Sequence, residues 1–151
     1  MASPFARDTQ SAPITVPFDS EHSIVVRRLT GGEVEEAERV ALRGFVNGKP
    51  TRGFSAHIAR IFAGAGTDAD AVKAANDPLK GYDRITLIRG GLVSWTYKEP
   101  IAPGVVDGVL VDAIDGLTDE AQEFMATEVA RLTWPWKFQT VEQYEADRKN
   151  G

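Results

Sequence analysis

The sequence predicts a mainly helical α+β fold with one or two short strands near the N-terminus, about four to five helices and an extended N-terminal arm. Three observations carry this prediction. A β-branched run at residues 23–29 leads straight into a helix start, apolar residues recur at helical spacing in later segments, and prolines recur through residues 1–22. We expect an arm at residues 1–22, a single domain at 23–138, and a C-terminal helix or tail at 139–151.

Composition limits both the chemistry and the partners. A chain of 151 residues with 42% hydrophobic and 26% charged residues is typical of one globular domain. The net charge of −5 argues against nucleic-acid binding, because phosphate contacts need a basic face. The absence of cysteine excludes disulfides, thiolate catalysis and cysteine-based zinc sites. No apolar run approaches the ~20 residues that span a bilayer, so we expect a cytosolic protein without a membrane partner.

The first 22 residues contain Pro4, Pro13 and Pro17 among small polar residues. Each proline lacks an amide donor and fixes its own φ, which favours an extended and exposed segment, with a short strand at residues 14–16. Two interpretations stay open: an arm that docks on a neighbouring subunit, and a frayed terminus.

The clearest local signal is a strand followed by a helix. Residues 23–29 are rich in β-branched residues and predict a strand. Thr30 and Glu33 fit a capping box, in which each side chain binds the other residue's free amide. Asn47 and Gly48 are expected to end the helix. Its predicted buried face consists of Val34, Ala37, Ala41, Leu42 and Phe45.

Further helices are predicted at residues 54–63, with Ile58, Ile61 and Phe62 buried, and from a cap at Thr67 to about Ala75. Residues 105–114 are apolar but interrupted by Asp107-Gly108, which favours a strand or irregular packing. A helix then follows residues 115–120 and ends at Pro135; its predicted buried positions are Ala121, Phe124, Met125, Val129 and Leu132. A last helix is expected from Thr140, where a second capping box begins.

Residues 82–97 allow two structures. Tyr82, Ile85, Ile88 and Leu92 share a helical face, which favours a helix. Two apolar runs around Gly90-Gly91 would equally form a β-hairpin, and glycine inside a helix costs about 1 kcal/mol per residue. We favour the helix because of the resemblance described below.

No combination of residues predicts catalysis, a metal or a cofactor. His22 and His57 are the only histidines, which is too few nitrogen ligands for a zinc site. Ser55 lies near His57 without a nucleophile-elbow pattern. The glycines at 64 and 66 are expected to end a helix rather than to bind a dinucleotide. The paired acids Asp68 with Asp70, and Asp112 with Asp115, are expected to be caps or turns.

Aromatic residues cluster at two places, and five of them are candidate partner-binding residues: Trp95, Tyr97, Trp134, Trp136 and Phe138. They can complete the core, since tryptophan buries a large area, or they can anchor a partner protein. The proline between Trp134 and Trp136 makes it difficult to turn both rings into one small core, which keeps the partner interpretation open.

Three stretches appear in a familiar order. Residues 17–30 read PFDSEHSIVVRRLT, residues 87–95 read LIRGGLVSW, and residues 114–120 read IDGLTDE before a helix that ends ARLTWP. This order resembles the small proteins of the structural-gene block of tailed bacteriophages, especially the tail assembly chaperones of long-tailed phages. The resemblance covers most of residues 17–135.

The resemblance implies a non-catalytic protein that binds the helices of the tape-measure protein in the host cytoplasm, until tail tube subunits replace it. The implied partners are tape-measure, tail tube or connector subunits, and self-association is left open. An alternative is an integral component of the virion, such as a head–tail connector, neck, minor capsid or tail protein, which the long arm would suit. A third hypothesis, a small hydrolase or metal-dependent enzyme, depends only on scattered Asp, Ser and His57.

Overall fold

The computed structural model describes residues 3–138, which confirm a mainly helical α+β fold. The helices are α1 (Gly31–Asn47), α2 (Ala56–Phe62), α3 (Asp68–Asn76), α4 (Arg84–Gly91) and α5 (Asp119–Thr133). The strands are β1 (Ile14–Thr15), β2 (Ser23–Val26), β3 (Leu92–Trp95), β4 (Gly104–Val106) and β5 (Val109–Val111). Short 3-10 turns occupy Ala6–Asp8 and Pro135–Lys137. The helix predicted from Thr140 lies outside the described residues.

A three-stranded antiparallel sheet joins the N-terminal segment to the middle of the chain. Its strand order is β1-β2-β3, with Ile14 opposite Ile24 and Ile24 opposite Trp95. The pairing continues before β1, because the Ser11 amide donates to the Val26 carbonyl at 2.8 Å. Val16 is fully buried in the core. The expected strand near residue 14 is therefore present, but the expectation that residues 1–22 stand outside the core is wrong for Val16.

Helix α1 begins and ends where its sequence predicts, but two residues near its end are exposed that were predicted to be buried. Thr30 and Glu33 form both bonds of the capping box, and Gly48 closes the helix in the left-handed conformation at φ 65°. Ala37 and Ala41 are buried as expected, whereas Leu42 and Phe45 are exposed. Phe45, near the end of α1, contacts Phe54 just before α2, with ring centroids 5.0 Å apart. Other positions of α1 near Phe45 remain open to solvent.

Helix α2 is shorter than expected and less deeply packed. Ser55 caps it by accepting a hydrogen bond from the Ile58 amide. Ile58 and Phe62 are half-buried and Ile61 is exposed, so the prediction of three buried residues is wrong for Ile61. With seven residues the helix makes less than two turns beyond its cap, and one apolar face cannot be covered along its whole length.

Residues 82–97 form a helix followed by a strand, which combines the two predicted alternatives. Helix α4 ends at Gly91 and β3 continues directly from Leu92. A methyl group at Gly91 would lie 2.4 Å from Val129 Cγ1, so glycine is needed where α4 crosses α5. Packing between two helices therefore outweighs the weak helix propensity of Gly90-Gly91.

The core lies between the sheet, α1, α4 and α5. Its largest fully buried side chains are Val16, Ile24, Val26, Leu79, Leu87, Ile88, Ile114, Met125 and Val129. Along α5, Ala121, Met125 and Val129 are buried as predicted, while Phe124 and Leu132 are partly buried.

Residues 104–111 form a separate β-hairpin. Asp107 and Gly108 make its two-residue turn with positive φ angles of 51° and 78°, the conformation that such turns require. The sequence predicts a strand or irregular packing at residues 105–114, and the structure has a regular hairpin there.

Candidate protein-binding surface

The five predicted aromatic residues lie on two separate surfaces. Trp95 ends β3 and Tyr97 follows it, and both face the first turns of α5, whereas Trp134, Trp136 and Phe138 follow the last turn of α5. Ala121 and Trp134 are 13 positions apart on or next to this helix, which separates the two groups by about 20 Å. The structure therefore does not combine the five residues into one site.

Trp95 and Tyr97 line an open apolar groove of about 280 Å³, which we call the aromatic groove. Its other lining residues are Glu99, Ala113, Gly116, Leu117, Ala121 and Met125. Met125 forms the floor with only 1% of its surface exposed. Glu99 is the one charged side chain among these lining residues, so the groove offers chiefly apolar and aromatic contacts.

Hydrogen bonds fix the two aromatic walls of the groove. Trp95 donates from Nε1 to the Glu99 carbonyl at 2.8 Å, and the Tyr97 ring meets the Trp95 ring edge-on with centroids 5.5 Å apart. The Tyr97 hydroxyl donates to Asp19 Oδ2 at 2.9 Å. Burial, followed by this hydrogen bond to the carboxylate, raises the pKa of Tyr97 to about 12. Both rings are thus held in position before any partner arrives.

The segment before β2 supports the groove from behind. His22 stacks on Tyr97 with centroids 4.1 Å apart, and its Nδ1 lies 2.9 Å from Thr96 Oγ1. Phe18 meets Phe124 of α5 edge-on at 6.1 Å. Sequence reasoning missed this role, because a contact between residues more than 70 positions apart leaves no local pattern.

The aromatic residues after α5 divide between core and surface. Trp134 is buried against Tyr82, with ring centroids 4.6 Å apart, and Lys137 Nζ lies 4.6 Å from the Trp134 ring. Phe138 lies beneath the Arg131 guanidinium at 4.9 Å. Trp136 remains 52% exposed. Trp134 therefore completes the core, and Trp136 is the member of this group that is available to a partner.

The β4–β5 hairpin exposes apolar residues on both of its faces. Val105 and Leu110 form one cross-strand pair and are 69% and 76% exposed; Val106 and Val109 form the other and are 44% and 63% exposed. Within residues 3–138, β4 and β5 pair only with each other. The hairpin thus combines unpaired edges with uncovered apolar side chains.

A polar cleft of about 490 Å³ between α2, α3 and α5 contains Ser55, His57, Asp77 and Arg84. Ser55 Oγ lies 2.9 Å from His57 Nε2, and Asp77 Oδ2 lies 3.5 Å from the same nitrogen. A catalytic triad needs the serine and the carboxylate on opposite ring nitrogens. Ser55 also caps α2, and Asp77 pairs with the buried Arg84 at 2.6 Å. This geometry is that of a cap and an ion pair.

In the remaining acidic pairs, Asp70, Asp112 and Asp115 each bind an arginine. Asp70 completes the Thr67 capping box and binds Arg60 at 2.6 Å, and hydrogen bonding to that guanidinium holds its pKa well below the usual range. Asp112 binds Arg89 at 2.6 Å, which likewise lowers its pKa. Within the described residues, no three His, Asp or Glu side chains lie close enough together to hold a metal ion.

Comparisons with protein-family models, with curated proteins and with solved structures find no significant match to this chain. The phage family suggested by the sequence stays a prediction. Between residues 3 and 138, no helix is long and apolar enough to cross a membrane.

Proposed function

We propose that this protein binds apolar segments of other proteins during the assembly of a tailed bacteriophage, most specifically as a tail assembly chaperone for the tape-measure protein. The aromatic groove is the observation that carries the proposal. Trp95, Tyr97 and Leu117 surround a buried Met125 at an open surface. Pockets of this kind take the aromatic or aliphatic anchors that dominate protein interfaces.

An amphipathic helix is the partner that fits such a groove. Its apolar residues recur every three or four positions, so one can enter the groove while its neighbours lie along the rim. Methionine at the floor adapts to anchors of different shape. One anchored side chain contributes about 2–4 kcal/mol, which is weak for a single copy. Many copies along a long helix would be needed, and each could be displaced by tail tube subunits.

The β4–β5 hairpin favours a second candidate function, an integral component of the virion. Its exposed valines and Leu110, together with its unpaired edges, are typical of an element that a neighbouring subunit covers. Mass spectrometry of purified particles separates the two candidates. A chaperone is absent from mature virions, whereas a structural component is present at fixed stoichiometry.

The chaperone proposal predicts a tape-measure protein encoded in the same genome, and it is tested by co-expression with that protein, followed by pull-down. Gly116 lies on the groove rim, and a Cβ there would make only ordinary contacts of 3.6 Å or more. Gly116→Glu therefore places a charge at the rim without disturbing the fold. We expect it to reduce recovery of the partner at least tenfold, because a carboxylate would have to be desolvated beside an apolar helix.

Gly32→Glu is the matched control. It makes the same chemical change in α1, where a Cβ would meet nothing within 4 Å. The control should retain the tape-measure protein at the wild-type level. Failure of the wild-type chain to retain the partner, or equal retention by Gly116→Glu, would exclude the proposed site.

A further inference from the structure

The outer edge of β5 is complementary to itself. We propose that β5 pairs antiparallel with β5 of a second copy of this chain about a two-fold axis at Leu110, which joins the two hairpins into one four-stranded sheet. This interface is separate from the aromatic groove, and it does not depend on which partner the groove binds.

The register of the β4–β5 hairpin determines which backbone amides and carbonyls point towards its free edges. Val106 and Val109 flank the two-residue turn, so they exchange both hydrogen bonds, and the next pair, Val105 with Leu110, exchanges none. The amide and carbonyl of Leu110 therefore point away from β4, towards the free edge. When two copies meet with Leu110 opposite Leu110, these groups satisfy each other in a reciprocal pair of hydrogen bonds.

The side chains fit the same register. Residues 109–111 read Val-Leu-Val, so an antiparallel copy places valine opposite valine and leucine opposite leucine. The flanking acids do not oppose each other: Asp112 faces Gly108 of the second copy, and Asp107 faces Ala113. Like charges directly opposite one another would destabilise such pairing, and this register avoids them.

The outer edge of β4 is less suitable for self-pairing. Its equivalent centre is Val105, which would place Pro103 opposite Asp107 of the second copy. Proline has no amide to donate to the ladder, and Gly104 contributes no side chain to the contact. The β5 edge is therefore the favoured one.

Pairing at β5 also covers the exposed apolar surface. Val105 and Leu110 of the two copies would form one row of four apolar side chains, packed against each other across the new sheet. Because the contact involves only short strands, the surface area that it buries is smaller than the roughly 1,200 Å² of standard interfaces. We expect a weak dimer, with a Kd on the order of 10–100 µM.

The chain contains no cysteine, so a single introduced thiol can report the pairing. In Leu110→Cys the two Cα atoms would be about 5.5 Å apart, within disulfide range. In the control Val105→Cys, on the same face of the hairpin and similarly exposed, they would be three strand spacings or about 14 Å apart. Under mild oxidation we expect at least tenfold more disulfide dimer from Leu110→Cys. Equal cross-linking of the two variants would overturn the proposal.

Charged substitutions of Leu110, the residue on the two-fold axis, provide a second test. Leu110→Glu and Leu110→Lys each place like charges opposite one another, so each variant alone should sediment as a monomer at concentrations where wild type associates. An equimolar mixture should associate again, since Glu then faces Lys. A wild-type chain that remains monomeric to about 1 mM, or single variants that associate as wild type does, would contradict pairing at β5.

Discussion

At the scale of single residues, Tyr97 connects the end of β3 to the segment before β2. Its hydroxyl binds Asp19, its ring stacks on His22, and its edge meets Trp95. The contacts with Asp19 and His22 do not follow from residue spacing, because they join residues more than 70 positions apart. Sequence reasoning identified Tyr97 as a candidate but could not identify what holds it.

The Tyr97 hydroxyl should titrate at about pH 12, because burial and the Asp19 carboxylate both disfavour the phenolate. Its folded pKa lies above the unfolded value of about 10, so the stabilisation is complete below pH ~10 and is lost as pH rises through 12. Asp19→Asn should lower the pKa of Tyr97. Phenolate absorbance in a Tyr82→Phe, Tyr144→Phe background isolates this titration. Titration of Tyr97 at about pH 10 in a protein that retains Asp19 would contradict the hydrogen bond between these two side chains.

At the scale of elements, the start and end signals were predictable because they are local. The capping boxes at Thr30 and Thr67 each satisfy free amides within four residues, and Gly48 ends α1 in a conformation that glycine adopts without strain. The sequence could not predict which helix faces are covered by other elements. Whether Leu42 or Ile61 is covered depends on which element lies opposite, and the spacing of one helix contains no such information.

Helix α4 shows tertiary packing overriding propensity, and this makes a prediction. Gly91→Ala places a methyl group 2.4 Å from Val129 Cγ1, so α4 and α5 must separate. We expect a loss of about 1–3 kcal/mol in the free energy of unfolding, the usual cost of overpacking, measured by urea denaturation. Gly32→Ala is the control; it meets nothing within 4 Å and should be neutral or stabilising by up to about 1 kcal/mol. Equal stability of the two variants would show that the helices do not meet at Gly91.

At the scale of the whole molecule, the N-terminal segment belongs partly to the domain. Residues 9–16 pair along β2, Val16 enters the core, and Asp19 and His22 support the aromatic groove. Of the three prolines, Pro13 lies in an extended segment as predicted, whereas Pro4 precedes a 3-10 turn and Pro17 lies in the turn between β1 and β2. The prolines alone could not indicate that the segment pairs with β2.

Removal of residues 1–22 should therefore destabilise the protein rather than trim a free arm. Loss of Val16 alone removes about 1.5–3 kcal/mol of apolar burial, and the β1 hydrogen bonds are lost as well. Thermal unfolding should show a clearly lower Tm. Removal of residues 1–8, which precede the pairing with β2, serves as the control and should have little effect. An unchanged Tm after the longer truncation would contradict the described packing.

Apolar side chains are exposed at several places on the described surface. The aromatic groove, the β4–β5 hairpin and Trp136 are apolar and accessible, whereas in the cleft between α2, α3 and α5 Ser55 caps a helix and Arg60, Asp77 and Arg84 form ion pairs. The groove is proposed to receive a helix of another protein, and the edge of β5 a second copy of this chain. Both proposed uses depend on apolar contact.

Hydrogen exchange of the full chain, alone and with the tape-measure protein, shows whether a partner binds in the aromatic groove. Binding in the aromatic groove should slow exchange in residues 92–97 and 113–125, the two segments that form its walls and floor. The polar cleft segments at residues 55–60 and 73–78 should exchange at the same rate with and without the partner. Protection confined to those cleft segments, or no protection anywhere, would contradict the proposal that the groove binds the tape-measure protein.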